Sequence, residues 1–404
     1  MSLFAAVELA PRDPILGLND QFNADPNPAK VNLGVGVYFD EDGKLPLLAC
    51  VQAAEQLQND AHKPRGYLPI DGIVAYDKAV QRMVFGADSA LLAAGRVATV
   101  QALGGTGGLK VGADFLKKIN PGATVLISDP SWENHRALFS NAGFPVASYA
   151  YYDAEARGVK VDAMLADLQA AAAGSIVVLH ACCHNPTGYD ISPADWDRVI
   201  AVVQSRGLVP FLDLAYQGFG DGIAEDGAVV RQFVAAGIDF FVATSFSKSF
   251  SLYGERVGAL SVVCSSADEC TRVLSQLKIT IRTNYSNPPT HGAQVVATVL
   301  DTPALRAQWE EELAGMRLRI KQMRSLLLDK LSARLQAAGV PQDFSFITRQ
   351  RGMFSYSGLS KAQMERLRNE FGVYGVDSGR ICVAALNTRN IDYVVDAMAR
   401  VIAG

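Results

Sequence analysis

An α/β protein built on an open, mostly parallel sheet is the fold class this sequence predicts, and three stretches predict it. Residues Ser175–Leu179, Gly207–Asp213 and Ile238–Ala243 are short apolar runs rich in β-branched and aromatic residues, the pattern of strands buried on both faces. Each leads directly into residues capable of chemistry: His180–Gly188 (HACCHNPTG), Asp213 with Tyr216, and Thr244–Arg256 (TSFSKSFSLYGER) around Lys248. Open α/β sheets place their ligands just beyond the carboxyl ends of the strands, so the order of strand followed by reactive residue is the mark of that class.

Composition fits this reading. With 404 residues, 49% of them hydrophobic and 19% charged, the chain can bury a large core and is long enough for more than one domain. A net charge of −4 argues against nucleic-acid or anionic-membrane partners. No apolar run reaches the ~20 residues that a membrane span requires. Met1–Ala10 has neither a basic n-region nor a long apolar h-region, so no secretory signal is expected. The cysteines, Cys50, Cys182, Cys183, Cys264, Cys270 and Cys382, form no C-x-x-C pair, which suits reduced thiols in a cytoplasm better than a disulfide framework.

Taken in order, Val31–Tyr38 is expected as a strand whose glycines allow a close approach, and Asp40–Gly43 as a turn. Arg65–Gly72 is loop-like; from its residues alone, Tyr67 is an ordinary packing tyrosine. Strand Val97–Leu103 meets Gly104–Gly108 (GGTGG) ahead of a helix over Leu109–Lys118, a combination that seats an anion on free N–H groups and the positive end of the helix dipole. The same loop raises the rival reading of a dinucleotide-binding oxidoreductase, since strand Thr124–Asp129 ends in an acid about 20 residues on. That fingerprint fails, because G-x-G-x-x-G started at Gly105 demands glycine where Lys110 stands. Trp132, just past a strand end, can stack flat on an aromatic ring. Ala170–Ala173 reads as a helix end before Gly174.

His180, Cys182, Cys183 and His184 invite a zinc reading, because positions 180, 182 and 184 share one face of a strand. The C-x-x-C type of spacing is missing, and no metal is expected. An Asp at a buried strand end is costly without a cationic partner, and a protonated pyridine nitrogen would be one for Asp213. Tyr216 could then donate to a phenolic oxygen on the same ring. Thr244, Ser245, Ser247, Ser249 and Ser251 with Arg256 make a phosphate cradle around Lys248, whose amine can condense with an aldehyde. Pyridoxal phosphate carries both groups. Beyond it come a strand (Gly258–Cys264), a helix (Ala267–Arg282) and a long helix (Pro303–Ala337) leading into a smaller domain. In that domain Phe354–Gly358 is expected as a strand, Lys361–Phe371 as a helix, and Ser378–Val383 as a turn into a strand. Arg380 can bind a carboxylate through two parallel hydrogen bonds.

His184–Gly188 (HNPTG), Asp213–Tyr216 (DLAY), Ser245–Lys248 (SFSK), Glu255–Arg256 and Ser378–Arg380 (SGR) occur in the order, and near the spacings, of one family. From about Pro14 to Ile402 the chain resembles the class I aminotransferases of the pyridoxal phosphate fold-type I superfamily, and within them the aspartate and aromatic amino acid aminotransferases. The resemblance implies a large domain (46–310) with a mixed, mostly parallel seven-stranded sheet, a small α+β domain (311–404), and residues 1–45 as an N-terminal arm and part of the small domain. It implies pyridoxal 5'-phosphate on Lys248, with Lys248, Asp213 and Tyr216 catalytic. Gly105, Thr106, Trp132, Asn185, Ser245, Ser247 and Arg256 would hold the cofactor. His135 would stand behind Asp213, and Tyr67 would reach the phosphate of the other subunit of a homodimer. Substrate would meet Gly36, Trp132, Asn185, Phe354, Arg380 at its α-carboxylate, and Arg282 from the neighbouring subunit at its distal carboxylate. The bonds Asp129–Pro130 and Asn185–Pro186 would be cis.

The implied activity is ping-pong transamination between an L-amino acid and 2-oxoglutarate. Phe39, Leu45, Cys182–Cys183, Phe250–Arg256 and Ile381–Val383 are similar to the bacterial aromatic (tyrosine) branch, whereas Thr106 and Asn287 are similar to the aspartate branch. The expectation is an aromatic amino acid aminotransferase that retains aspartate activity. The alternative is an aspartate aminotransferase with little aromatic activity.

Overall fold

The computed structural model describes residues 2–10 and 15–404. Pro14, where the resemblance begins, lies outside the described residues. The chain forms two compact units, one of residues up to Lys44 with Gln322–Thr348 and Met353–Gly404, the other of Leu45–Lys321 with Arg349–Gly352. The boundary at Lys321 falls within the continuous helix Pro303–Ala337.

The larger unit is organised by a seven-stranded sheet. Its strands, in chain order, are β1 (Val97–Leu103), β2 (Val125–Asp129), β3 (Val146–Ala150), β4 (Ile176–His180), β5 (Val209–Leu214), β6 (Phe241–Ser245) and β7 (Val257–Val263). Their spatial order is β1-β7-β6-β5-β4-β2-β3, with β7 antiparallel to both neighbours and the remaining pairs parallel. Every residue of β4, β6 and β7 is buried, as strands covered on both faces must be. Helix Gly104–Ile119 packs its apolar residues Leu109, Val111, Phe115 and Leu116 into the core with Phe139, Phe211 and Phe241. Phe211 lies 5.3 Å from Phe241 and 5.9 Å, edge-on, from Phe139, separations typical of favourable aromatic pairs.

The smaller unit has two short ladders. Val31–Asn32 runs parallel to Val373–Tyr374, and Phe354–Tyr356 antiparallel to Arg380–Cys382. Helix Lys361–Phe371 begins with a capping box between Ser360 and Gln363.

Several local expectations change. The strand expected over Val31–Tyr38 is regular only at Val31–Asn32. Beyond it Leu33 still donates to Tyr374 and accepts from Cys382, and then the glycine-containing segment leaves the ladder. The glycines expected as a loop before Leu109 are themselves the first turn of the helix that starts at Gly104. The strand carrying His180 stops there, and Cys183 turns to φ +50°, so the alternation needed to align residues 180, 182 and 184 does not exist. His180 instead groups with His135 and Asp213, and Cys182 and Cys183 with Asp226.

Candidate active site

Parallel register decides what meets at the sheet's carboxyl edge. His180 lies opposite Asp213, and Asp213 opposite Ala243, whose strand ends at Ser245 just before Lys248. His135, on helix Glu133–Asn141, closes on Asp213 with Nε2 and Oδ2 2.9 Å apart, and its Nδ1 lies 2.9 Å from the Ser131 hydroxyl. Burial by itself would push the Asp213 carboxyl up, but the hydrogen bond with His135 and the charges of His135, His180 and Lys248 hold it below its ordinary value. Burial also lowers the Lys248 amine to about 8, against the attraction of Asp213 and with help from Arg256. Lys248 Nζ stands 4.8 Å from the centre of the Tyr216 ring. Trp132 meets His135 edge-on at 5.3 Å.

A second group adjoins these residues. Arg256 donates from Nη1 to Ser247 Oγ (3.4 Å) and to the Tyr253 carbonyl (2.8 Å), and its own carbonyl accepts from Gly104 N (2.9 Å). Gly104 has φ +70°, and a Cβ there would sit 2.5 Å from the Arg256 guanidinium. A Cβ on Gly258 would come within 2.3 Å of the Gly104 backbone, so only two glycines allow this approach. Gly105 faces Ser245, its added Cβ 3.1 Å away, and Thr106 follows on the same helical turn. Among the described residues the Thr244 and Ser251 hydroxyls have no hydrogen-bond partner. The turn thus offers an arginine, serine and threonine hydroxyls and the N-terminus of a helix around a buried amine, and this donor set suits a phosphate-bearing aldehyde. Asn185 is buried, and the bonds Asp129–Pro130 and Asn185–Pro186 are both cis.

The smaller unit gathers Gly36, Phe354 and Arg380. Arg380, 1% exposed, donates to the Gly34 carbonyl at 2.7 Å and lies 4.4 Å from the centre of the Phe354 ring. A Cβ on Gly36 would meet Phe354 Cζ at 2.6 Å. Phe39 is partly buried and lines a cavity of about 670 Å³ in this unit with Phe22 and Tyr393. Two expected site residues join neither group. Tyr67 is 97% exposed, and Arg282 is exposed at the end of helix Ala267–Asn284, donating to the Ser286 hydroxyl.

Residue pattern alone did not single out Ser128, Tyr151 or Trp309, and it gave Thr187 only as a member of the HNPTG motif. His184 is hydrogen-bonded to Ser128 and Thr187, each at 2.9 Å, and stacked 3.9 Å from Tyr151. Trp309 reaches Ser249, next to Lys248, from 60 residues away. The one sequence signal that could have pointed to it is a tryptophan on the apolar face of the long helix.

The family described as aminotransferase class I and II matches residues 28–398. The chain is 63% identical over 402 residues to an aspartate aminotransferase of Pseudomonas aeruginosa, with 100% of both chains covered. It is 51% identical to an aromatic-amino-acid aminotransferase of Escherichia coli, covering 99% of this chain and 100% of that one. A solved aromatic-amino-acid aminotransferase from Burkholderia pseudomallei, covalently bound to pyridoxal phosphate, superposes with a TM-score of 0.96 at 65% identity, covering 99% of this chain and 100% of that one.

Proposed function

Since the chain belongs to the class I and II aminotransferases, we propose that this pyridoxal phosphate-dependent enzyme transfers the amino group of aromatic L-amino acids and of aspartate to 2-oxoglutarate. The observation that carries the reading is Lys248: a buried amine lowered to about 8, set against Tyr216 and beside an Asp213 that His135 keeps ionised. When bound, the cofactor supplies an aldehyde for amines and a ring that accepts electrons. Gly105, Thr106, Ser245, Ser247 and Arg256 would hold its phosphate, and Asp213 would keep a proton on its ring nitrogen. Trp132 would pack against the ring, while Asn185 and Tyr216 would donate to its phenolic oxygen. Lys248 Nζ takes the proton from the substrate Cα as general base, a role its lowered basicity suits near neutral pH. Arg380 receives the α-carboxylate, with Gly36 and Phe354 shaping the wall beside it.

We place the working enzyme in the cytoplasm as a homodimer with shared sites. Tyr67 and Arg282 support this, because both side chains are exposed in their own chain, where a neighbour could meet them. Among the described residues no helix is long and apolar enough to cross a membrane. Arg282 supplies the cation that a dicarboxylate requires, and Phe39 and Leu45 supply apolar surface for rings.

Borohydride reduction should fix the cofactor on Lys248, and Lys248→Ala should abolish transamination; label recovered on another lysine would sink the assignment. Parallel assays of aspartate, tyrosine and phenylalanine with 2-oxoglutarate test the substrate range. Trace turnover of both aromatic donors beside aspartate would leave an aspartate aminotransferase.

A further inference from the structure

Three residues on one stripe of helix Pro303–Ala337, spaced four apart, face the two turns that carry Lys248 and Tyr216. Trp309, 1% exposed, donates from its indole N–H to the Ser249 carbonyl at 2.7 Å, and its ring stacks on Phe250 at 4.7 Å and 22°. Phe250 meets Phe246 edge-on at 5.4 Å, and Phe246 meets Tyr76 at 5.8 Å, so a row of aromatic rings brackets the lysine turn. Within that turn Ser251 N donates to the Lys248 carbonyl (3.1 Å) and Phe250 N to the Phe246 carbonyl (3.2 Å). One helical turn on, Leu313 fills the space at Gly218, where an added Cβ would come within 2.4 Å of it. A further turn on, Arg317 donates to the Gly218 carbonyl at 2.8 Å. Gly218 lies two residues past Tyr216, whose ring Lys248 faces.

We propose that Trp309 is a positioning residue for Lys248: its N–H fixes the Ser249 carbonyl, and the helix that carries it holds the Lys248 and Tyr216 turns at a set separation. The inference rests on the assignment of Lys248 above. The turn that presents this carbonyl is strained: two residues on, Ser251 adopts φ +53°, and its hydroxyl has no hydrogen-bond partner among the described residues. Loss of the anchor misplaces the amine relative to the substrate Cα, and misplacements of about 1 Å are felt in the chemical step rather than in substrate binding.

The test uses the loaded dimer carrying Trp309→Phe, which keeps a ring against Phe250 and removes only the donor, beside Phe250→Leu, which keeps the donor and removes the stack. Trp309→Phe should lower kcat about tenfold with KM for the amino donor changed less than about twofold. It should also move the midpoint of the pH titration of the bound cofactor's absorption, a readout that a fall in stability alone would leave in place. Phe250→Leu should show a smaller shift in both. Wild-type kcat and an unmoved midpoint in Trp309→Phe overturn the proposal. So do equal losses in the two variants that only track a fall in melting temperature. If Trp309→Phe does not fold, Phe250→Leu decides: a shifted midpoint at wild-type melting temperature supports the proposal, and an unshifted one overturns it. Borohydride labelling of the wild type away from Lys248 would instead overturn the assignment beneath it.

Discussion

Arg380 and Arg282 carry the same guanidinium in opposite surroundings. In the smaller unit Arg380 is buried, bonded to the Gly34 carbonyl and laid against Phe354, so its fork is fixed before any ligand arrives. In the larger unit Arg282 is exposed, and its guanidinium donates to the hydroxyl of Ser286, four residues along the same chain. A group present on every substrate, the α-carboxylate, is best met by a rigid cation. A group that varies between donors is better met by a cation that can swing aside.

The largest effect expected from this contrast is at the fixed arginine. Arg380→Met should lower kcat/KM for aspartate, tyrosine and phenylalanine alike. Breaking a desolvated ion pair by removing one partner costs about 3–5 kcal/mol, on the order of 10³-fold. A loss confined to one donor would break the comparison. Next comes the exposed arginine: Arg282→Ala should reduce kcat/KM for aspartate by roughly two orders of magnitude, because a distal carboxylate is left unpaired, and reduce phenylalanine turnover less than about tenfold. Equal losses for both donors would mean that Arg282 serves the fold and not the side chain of the substrate.

Gly36→Ala sharpens the rigid half of the contrast. The new methyl would press on Phe354 Cζ and tilt the ring under Arg380, so KM for every donor should rise severalfold while melting temperature falls by only a few degrees. An unchanged KM would show that the ring yields without disturbing the guanidinium.

The smallest effect concerns the third cation. In the cofactor-free protein the fold favours neutral Lys248, whose basicity is lowered from 10.5 to about 8. Between those values the unfolded chain binds more protons than the folded one, so stability rises with pH across that window; below about 8 both states are protonated and the gain is absent. Denaturant titrations from pH 7.5 to 10.5 should show this rise in wild type and its loss in Lys248→Met.

Two buried carboxyls show why such behaviour follows placement and not residue type. Asp213 has His135, His180 and Lys248 around it and is held below its ordinary value despite burial. Asp77, on helix Val74–Phe85, is pushed up to about 9 by burial and by the neighbouring Asp71, and Lys278 offsets this only in part. In sequence each is a single acid directly after an apolar run, Ile73–Tyr76 before Asp77 and Val209–Leu212 before Asp213.

Much was legible in advance because it rests on local pattern. The apolar runs ending near Asp213 and Lys248 are strands, helix Lys361–Phe371 runs between the expected residues, and Pro303–Ala337 is one helix. The strand Val31–Tyr38 was not legible, because its residues suit a strand while the available partner, Val373–Tyr374, pairs with only two of them. The supposed shared face of His180, Cys182 and His184 failed for a related reason: a turn at Cys183 with φ +50° ends the alternation, and non-glycine residues give little warning of that conformation.

What the sequence by itself determined is the inventory and its order: a lysine among hydroxyls and an arginine, an acid at a strand end, glycines before a helix, and motifs spaced as one family spaces them. Periodicity and residue chemistry act over a few neighbouring positions, and those suffice to name elements and candidates. Tertiary structure alone decided the distances that make them a site. His135 meets Asp213 across 78 residues, Gly258 rests on Gly104, and Trp309 anchors the turn of Lys248 from 60 residues away. These meetings follow from parallel register and from how helices pack on the sheet. The free energy of such packing is spread over the whole core, so no local stretch of sequence records it.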